Sequence, residues 1–316
     1  MPGERPLRIV FMGTPDFAVP ALEMLIESQE EVVAVVTQPD RPKGRKKERI
    51  PSPVKRVAVE NGIPVLQPEK VRDPEALAEL FQYEPDLIIT AAYGQILPES
   101  LLQTPPHGCM NIHASLLPKY RGGAPIHQAI INGEKETGVT IMYMVKALDA
   151  GDMIVQRAIP IEKDDHVGTM HDKLSQLGST LLAEVIAKLK RGDIKAIPQD
   201  ERQVTYSPNI KREDEKLDWT RAASALADQV RGLHPWPVAY TLWQGEPLKI
   251  WWAEAVDDEV KAEPGTIQQI DSNGIVVATG EGCLSIMELQ PAGKKRMDVE
   301  QFLRGRQLDM GEKLGE

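Results

Sequence analysis

The sequence predicts an α/β fold: an N-terminal Rossmann-like, mostly parallel sheet with helices on both faces, followed by a small OB-like β-barrel. Three observations predict it. Strand-like apolar runs alternate with helix-like amphipathic runs up to about residue 190, the pattern of a parallel sheet covered by helices. A polar, Pro-containing stretch then runs from Gly192 to about Lys211 and reads as a linker. Beyond it, about five short β-rich runs broken by turn residues fall within the last hundred or so positions, the spacing of a small barrel. At 316 residues the chain exceeds the size at which one core usually stays single. It therefore divides into 1–190, a linker at 191–210, and 211–316.

The elements follow in order. Leu7 to Phe11 is a short apolar strand ending at Gly13, and Ala21, Leu22, Leu25 and Ile26 mark the helix after it. Glu31 to Thr37 is the second strand, and Ile63 to Leu66 a short third. Asp73-Pro74-Glu75 starts a helix with a capping residue, a Pro in the first turn and an acid near the positive end of the dipole. Asp86 to Ala92, Cys109 to His113, Val139 to Val145 and Met153 to Ile161 are further strands. Met170, Leu174, Leu177, Leu181, Val185 and Leu189, three or four apart, form one face of a long helix. A helix from Ala222 to Val230 precedes strands at Ala239–Trp243, Leu248–Ala253, Thr266–Ile270, Gly274–Thr279 and Leu284–Leu289. Gln244-Gly245-Glu246 and Asn273-Gly274 are hairpin signals.

Composition narrows the class. A 41% hydrophobic and 27% charged content is that of an ordinary soluble globular protein. No apolar run approaches the ~18 residues of a membrane span, and Met-Pro-Gly-Glu-Arg-Pro lacks the apolar core of a signal peptide. Cys109 and Cys283 stand far apart without a Cys-x-x-Cys, which points to a reducing cytoplasm rather than a disulfide or thiolate zinc site. A net charge of −10 argues against the whole surface binding nucleic acid but leaves room for a local basic patch.

The most informative stretch is residues 111 to 126. It opens with Asn111 and His113, which period-2 alternation places on one strand face, where a strand runs into a Gly- and Pro-rich loop. In open α/β sheets ligands bind there. An amide donor beside an imidazole that titrates near neutrality suits polarising a carbonyl and moving a proton. Asp149 is a possible third partner, since a carboxylate orients an imidazole. By spacing alone, a catalytic trio and a hydrogen-bonded structural cluster both remain open.

Other signals are weaker. Phe11 to Phe17 sits where a dinucleotide fold carries its glycine pattern. Only Gly13 is present and Pro15 removes a donor, so a tight structural turn is the better reading. The six histidines show no recurring zinc spacing, and no metal is expected; His127, His166 and His171 read as surface or capping residues. Arg41 to Arg49 holds six basic residues and one acid between prolines and reads as a long mobile loop. In an acidic protein that contrast favours a polyanionic partner over a solvated face. Lys294, Lys295 and Arg296 form a second basic cluster, and His234-Pro235-Trp236-Pro237 reads as a buried Trp between rigid turns, or as a base-stacking platform.

With these residues in hand, the chain closely resembles the methionyl-tRNA formyltransferase family. The match runs through residues 11–20, 37–45, 51–55, 91–98, 111–126, 136–142, 148–153, 234–237 and 289–297, in family order along nearly the full length. The segment 111–118 with 148–153 is specific for enzymes that use 10-formyltetrahydrofolate. The segments 37–48, 234–237 and the 291–295 turn point to the member that acts on tRNA.

The resemblance implies formyl transfer from 10-formyltetrahydrofolate to the α-amine of methionyl initiator tRNA, by a monomeric cytoplasmic enzyme without a metal. It makes Asn111, His113 and Asp149 the catalytic trio and Ser115, Leu116, Leu117 and Pro118 the folate-contacting loop. It places Tyr93, Gly94, Ile96 and Leu97 along the pterin pocket. The basic residues Arg41, Lys43, Arg45, Lys46, Lys47, Lys211, Arg212, Lys294 and Lys295 become tRNA contacts, with Arg45 on the acceptor stem. One departure stands out: Asn209 occupies a position that is commonly lysine in the family. Rivals are a formyltransferase acting on an amino-sugar nucleotide, which needs no basic loop, and a non-catalytic RNA-binding protein.

Overall fold

The structure is a computed structural model, and it describes residues 5–43, 48–305 and 308–316. Two compact units interleave along the chain. One takes residues up to Gly122 with Thr137–Ile159 and His171–Tyr206; the other takes Gly123–Glu136, Pro160–Met170 and Ser207–Glu316. The division does not follow one cut. Residues 191–206, read from composition as linker, pack within the first unit, where Met153 and Ile197 exchange both backbone hydrogen bonds at 2.8 Å.

Among the described residues the first unit carries a seven-stranded sheet and a separate two-stranded hairpin. The strands are β1 (Arg8–Gly13), β2 (Glu31–Val36), the hairpin pair β3 (Arg41–Lys43) and β4 (Glu48–Ile50), β5 (Val65–Leu66), β6 (Leu87–Ala91), β7 (Cys109–His113), β8 (Glu136–Tyr143) and β9 (Met153–Pro160). The large sheet runs β5-β2-β1-β6-β7-β8-β9, parallel from β5 to β7, and β8 pairs antiparallel with β7. β1 and β6 are buried on both faces, which is why, apart from Arg8 and Thr90, they read as apolar runs.

The helices of this unit are α1 (Val19–Glu27), α2 (Pro53–Glu60), α3 (Pro74–Phe81) and α4 (Glu99–Leu102). α5 (Pro125–Ile131) lies in the second unit, and α6 (Val167–Arg191) begins there and continues in the first. Leu77 and Leu80 of α3 and Leu101 of α4 join Val10, Met12, Ile88 and Cys109 in one core. On the other face, a methyl added to Gly178 of α6 would sit 2.8 Å from Ile112, and Ser175 and Ser179 donate to the carbonyls of Phe17 (2.8 Å) and Pro20 (3.0 Å). The sheet thus has helices on both faces, as predicted. Gly13 marks the tightest approach in the first turn: a Cβ there would lie 2.8 Å from both Ala18 Cβ and the Ala91 carbonyl. Asp73 is the N-cap of α3, yet its side chain makes no capping bond, whereas Ser52 Oγ caps α2 through the Lys55 amide at 3.0 Å.

The second unit is an antiparallel sheet domain. Its strands are β10 (Ala239–Trp243), β11 (Glu246–Val256), β12 (Ile267–Ile270), β13 (Ile275–Ala278), β14 (Cys283–Pro291) and β15 (Met297–Asp298). They are joined by α7 (Ala223–Gly232) and α8 (Val299–Gly305). The order is β10-β11-β14-β13-β12, with β15 on β14. Residues 312–316 close the two free edges. Ile267 N–H donates to Glu312 O and Leu314 N–H to Gly265 O beside β12, while Gly315 N–H donates to Leu242 O in β10, each at 2.8 Å. Trp219, Leu226, Trp243, Ile250, Val277, Ile286 and Phe302 fill the core, and the Trp219 indole N–H is satisfied by Thr241 Oγ1 at 2.9 Å.

Candidate active site

The site grows from the carboxyl end of β7. Cys109, Asn111 and His113 point to the face that packs under α3 and α4; Met110 and Ile112 point to the other. Thr90 on β6 lies beside Asn111 in register, and its hydroxyl donates to Asn111 Oδ1 at 2.8 Å. That bond fixes the amide with its NH2 as the outward donor.

His113 is buried. Its Nε2 lies 2.9 Å from the Tyr120 carbonyl. A carbonyl only accepts, so Nε2 carries the proton and Nδ1 keeps the lone pair. Nδ1 faces Asp149 Oδ2 at 3.7 Å, an ion-pair distance for a protonated ring but too long for a hydrogen bond. Asp149 is itself fixed: Gly122 N–H donates to its Oδ2 at 2.9 Å, and its backbone holds a left-handed φ of 49°. The structure therefore brings His113 and Asp149 together and sets Asn111 one pleat away on the same strand face.

The loop 115–118 is stapled from behind. Thr140 on β8 donates to Ser115 O at 2.7 Å and accepts from Leu117 N–H at 3.2 Å. Gln156 on β9 donates to Leu117 O at 2.9 Å. Ser115 spends its hydroxyl on Lys119 O at 2.7 Å. Ser115 and Leu117 are buried, while Leu116 and Pro118 are half-buried.

The 93–97 segment divides likewise. Tyr93 and Leu97 are buried, Gly94 takes a φ of 93°, and Ile96 is 85% exposed. Tyr93 O accepts from Thr14 Oγ1 at 3.0 Å and from Gln38 Nε2 at 3.3 Å, tying the carboxyl ends of β1, β2 and β6 together. Burial pushes the Tyr93 phenol and the Cys109 thiol up to about 12, so both are neutral near pH 7. Among the described residues no group of three His, Cys, Asp or Glu side chains converges as a metal cage would require.

The basic residues are placed less completely. Arg45, Lys46 and Lys47 lie outside the described residues. The flanks of the expected mobile loop are paired strands: Arg41 opposes Ile50 and Lys43 opposes Glu48, with Arg41 also meeting Glu69 at 3.1 Å. Arg41, Pro42 and Glu48–Ile50 are exposed, so no buried–exposed alternation betrayed these strands. In the second unit Lys211 is exposed, while Arg212 stacks 3.9 Å over the Tyr240 ring and pairs with Glu215. Lys294 and Lys295 are exposed on the turn between β14 and β15. Trp236, read as buried, is 44% exposed and edge-on to His127. His166 does act as a cap, its Nδ1 accepting from Gly168 N–H at 3.1 Å.

Sequence reasoning missed Thr90, Tyr120, Gly122, Thr140 and Gln156. Tyr120 and Gly122 act through main-chain atoms, which residue identity does not announce. The paired glycines after Arg121 were the available signal.

Comparison with known proteins bears on the same residues. The formyl transferase family profile matches residues 7–186, and the profile for the formyl transferase C-terminal domain matches 209–307. A methionyl-tRNA formyltransferase of Halalkalibacterium halodurans is 59% identical over 98% of this chain and 98% of its own length. That of Bacillus subtilis is 58% identical, again over 98% of each chain. Among solved structures, the sugar 3N-formyl transferase WlaRD in the presence of dTDP and 5-N-formyl-THF superposes with a TM-score of 0.66 at 19% identity, over 92% of this chain and 99% of its own. HypX from Aquifex aeolicus in complex with tetrahydrofolic acid gives 0.62 at 19% over 96% of this chain, which spans about half (50%) of HypX. These two share the fold. With both profiles in order and full-length relatives at 58 and 59% identity, the chain belongs to the formyl transferase family, among the methionyl-tRNA formyltransferases.

Proposed function

We propose that this chain moves a formyl group from 10-formyltetrahydrofolate to the α-amine of methionyl initiator tRNA, as a monomeric enzyme of the cytoplasm. The observation that carries the acceptor is the 59% identity with a methionyl-tRNA formyltransferase across both units. HypX in complex with tetrahydrofolic acid and WlaRD in the presence of 5-N-formyl-THF share the fold, which supports the donor. A single chain supplies every residue invoked. Among the described residues no helix is long and apolar enough to cross a membrane.

In this reading the neutral amine attacks the formyl carbon and its carbonyl π electrons move to oxygen. The Asn111 NH2, turned outward by Thr90, donates to that oxyanion. The attacking nitrogen loses its proton to His113 Nδ1, the ring nitrogen left free to accept by the Tyr120 bond at Nε2. Asp149 at 3.7 Å stabilises the resulting imidazolium, by about 4 kcal/mol at an effective dielectric of ~20 before solvent screening. The C–N10 bond then breaks, the proton passes to N10, and tetrahydrofolate leaves. The step as written needs neither a metal nor a covalent enzyme intermediate.

Folate contact falls to the 115–118 loop and to Tyr93, Gly94, Ile96 and Leu97, and tRNA contact to Arg41, Lys43, Arg45, Lys46, Lys47, Lys211, Arg212, Lys294 and Lys295. The test is an assay with methionyl initiator tRNA, methionyl elongator tRNA and an amino-sugar nucleotide, each with and without 10-formyltetrahydrofolate. Formylmethionine on the initiator alone is the expected result. Formyl on the sugar, or RNA binding with no donor consumed, would overturn the reading. Arg45→Ala is expected to raise the KM for tRNA, and an unchanged rate would remove Arg45 from the interface.

A further inference from the structure

We propose that Gln199, from the stretch that composition reads as linker, is a positioning residue that holds Asp149 against His113. The proposal rests on the formyl-transfer reading for its kinetic arm only.

Gln199 is 9% exposed, and both ends of its amide are used. Its Nε2 donates to two carbonyls of one turn, Asp149 O at 2.7 Å and Gly151 O at 2.9 Å. Its Oε1 accepts from Arg121 Nε at 3.1 Å and from Arg121 Nη2 at 2.9 Å. Arg121 is 4% exposed and reaches on to Glu201 Oε1 at 2.8 Å. Arg121 also precedes Gly122, whose N–H holds the Asp149 carboxylate at 2.9 Å. Gln199 therefore grips the Asp149 turn directly, and through Arg121 it grips the chain that holds the Asp149 carboxylate.

The segment bearing Gln199 is docked on both sides of it. Met153 and Ile197 pair through two 2.8 Å bonds, and Arg121 N–H donates to Thr205 O while Tyr120 N–H donates to Thr205 Oγ1, both at 2.9 Å. Tyr120 is the residue whose carbonyl orients His113. The left-handed backbone of Asp149, at φ 49°, is unfavourable for a non-glycine residue and persists only where its surroundings hold it. An orienting group of this kind controls rate because a shift of about 1 Å in a reacting constellation costs up to ~100-fold.

Gln199→Glu isolates the point. Its carboxylate keeps the shape and the Arg121 pair but cannot donate to the two carbonyls. We expect kcat to fall about 10- to 100-fold, with both substrate KM values within about threefold of wild type. In an Asp149→Asn background the same change should cost little more, because a residue acting through Asp149 loses its lever when that carboxylate is gone. Independently of activity, amide hydrogen exchange should rise across residues 147–153 and at Gly122, and stay unchanged in the second unit. If Gln199→Glu does not fold, Arg121→Lys applies the same three measurements from the other end of the amide. Full multiplicative loss in the double variant, wild-type kcat, or unchanged exchange at 147–153 would each overturn the proposal. A wild-type chain that formylates nothing would instead defeat the functional reading, and the exchange measurement would still decide whether Gln199 clamps the turn.

Discussion

Nε2 of His113 and the carbonyl oxygen of Tyr120 lie 2.9 Å apart inside the first unit, and this one contact settles which ring nitrogen is free to work. Tyr120 holds a left-handed φ of 60°, and its own N–H is spent on Thr205. His113→Ala is expected to lower kcat by about 10²–10⁴-fold, the range of a lost general acid–base group. Donor binding, measured by equilibrium titration with a folate analogue, should change by only a few-fold. Near-normal turnover would remove His113 from the proton path.

The Thr90–Asn111 bond gives a graded test of the oxyanion role. Asn111→Ala should cost about 10²–10³ in kcat. Thr90→Val leaves Asn111 in place but removes the 2.8 Å bond that aims its NH2. A smaller loss, about tenfold, is expected there, read as kcat at saturating donor and acceptor. A Thr90→Val loss as large as that of Asn111→Ala would assign the work to the hydroxyl instead.

Gly138 on β8 is where the loop 115–118 meets the sheet. A Cβ there would lie 2.1 Å from the Arg157 carbonyl and 2.5 Å from Leu116 Cδ2, and a backbone oxygen cannot yield as a side chain can. Gly138→Ala should destabilise the chain by about 1–3 kcal/mol by overpacking and raise the KM for the formyl donor. Gly305→Ala is the control, since a Cβ there meets nothing within 4 Å among the described residues. Urea unfolding and donor titration of the two variants, side by side, check both halves of the claim.

At the base of the β3–β4 hairpin, Lys55 and then Gln67, each 2.7 Å away, hold the Asp40 carboxylate below its ordinary range. The folded value is the depressed one, so the stabilisation is full above the unfolded value of about 4 and fades as pH falls through the folded value. Asp40→Asn should therefore be less stable than wild type at pH 7, with the gap narrowing below about pH 4. Urea midpoints at several pH values measure it, and a gap that widens toward acid would reverse the sign.

Much of the frame was legible because burial writes itself into composition. Leu87–Ala91 is covered on both faces and is apolar but for Thr90, and Cys109–His113, buried along most of its length, kept its predicted bounds. The pair Asn111 and His113 stood out as polar residues at the end of such a run. What holds them did not. The Tyr120 carbonyl and the Gly122 amide are main-chain groups, identical in every residue. Gln199 sits 50 positions from the carbonyl it binds, in a stretch whose polar composition reads as solvent. The short helices α4 and α5, of four and seven residues, complete too few turns for periodicity to register.

The five residues from Glu312 to Glu316 that bridge β12 to β10 carry a consequence for the order of events during synthesis. Their partners, Leu242 and Gly265 among them, leave the ribosome some fifty to seventy residues earlier, and until the bridge arrives both sheet edges present unpaired amides and carbonyls. The second unit can be closed only once residues 312–316 have emerged, so a nascent chain halted before them would leave these positions beside β10 and β12 open to pairing with a neighbour. A bulky tag placed directly after residue 316 would crowd that same seam.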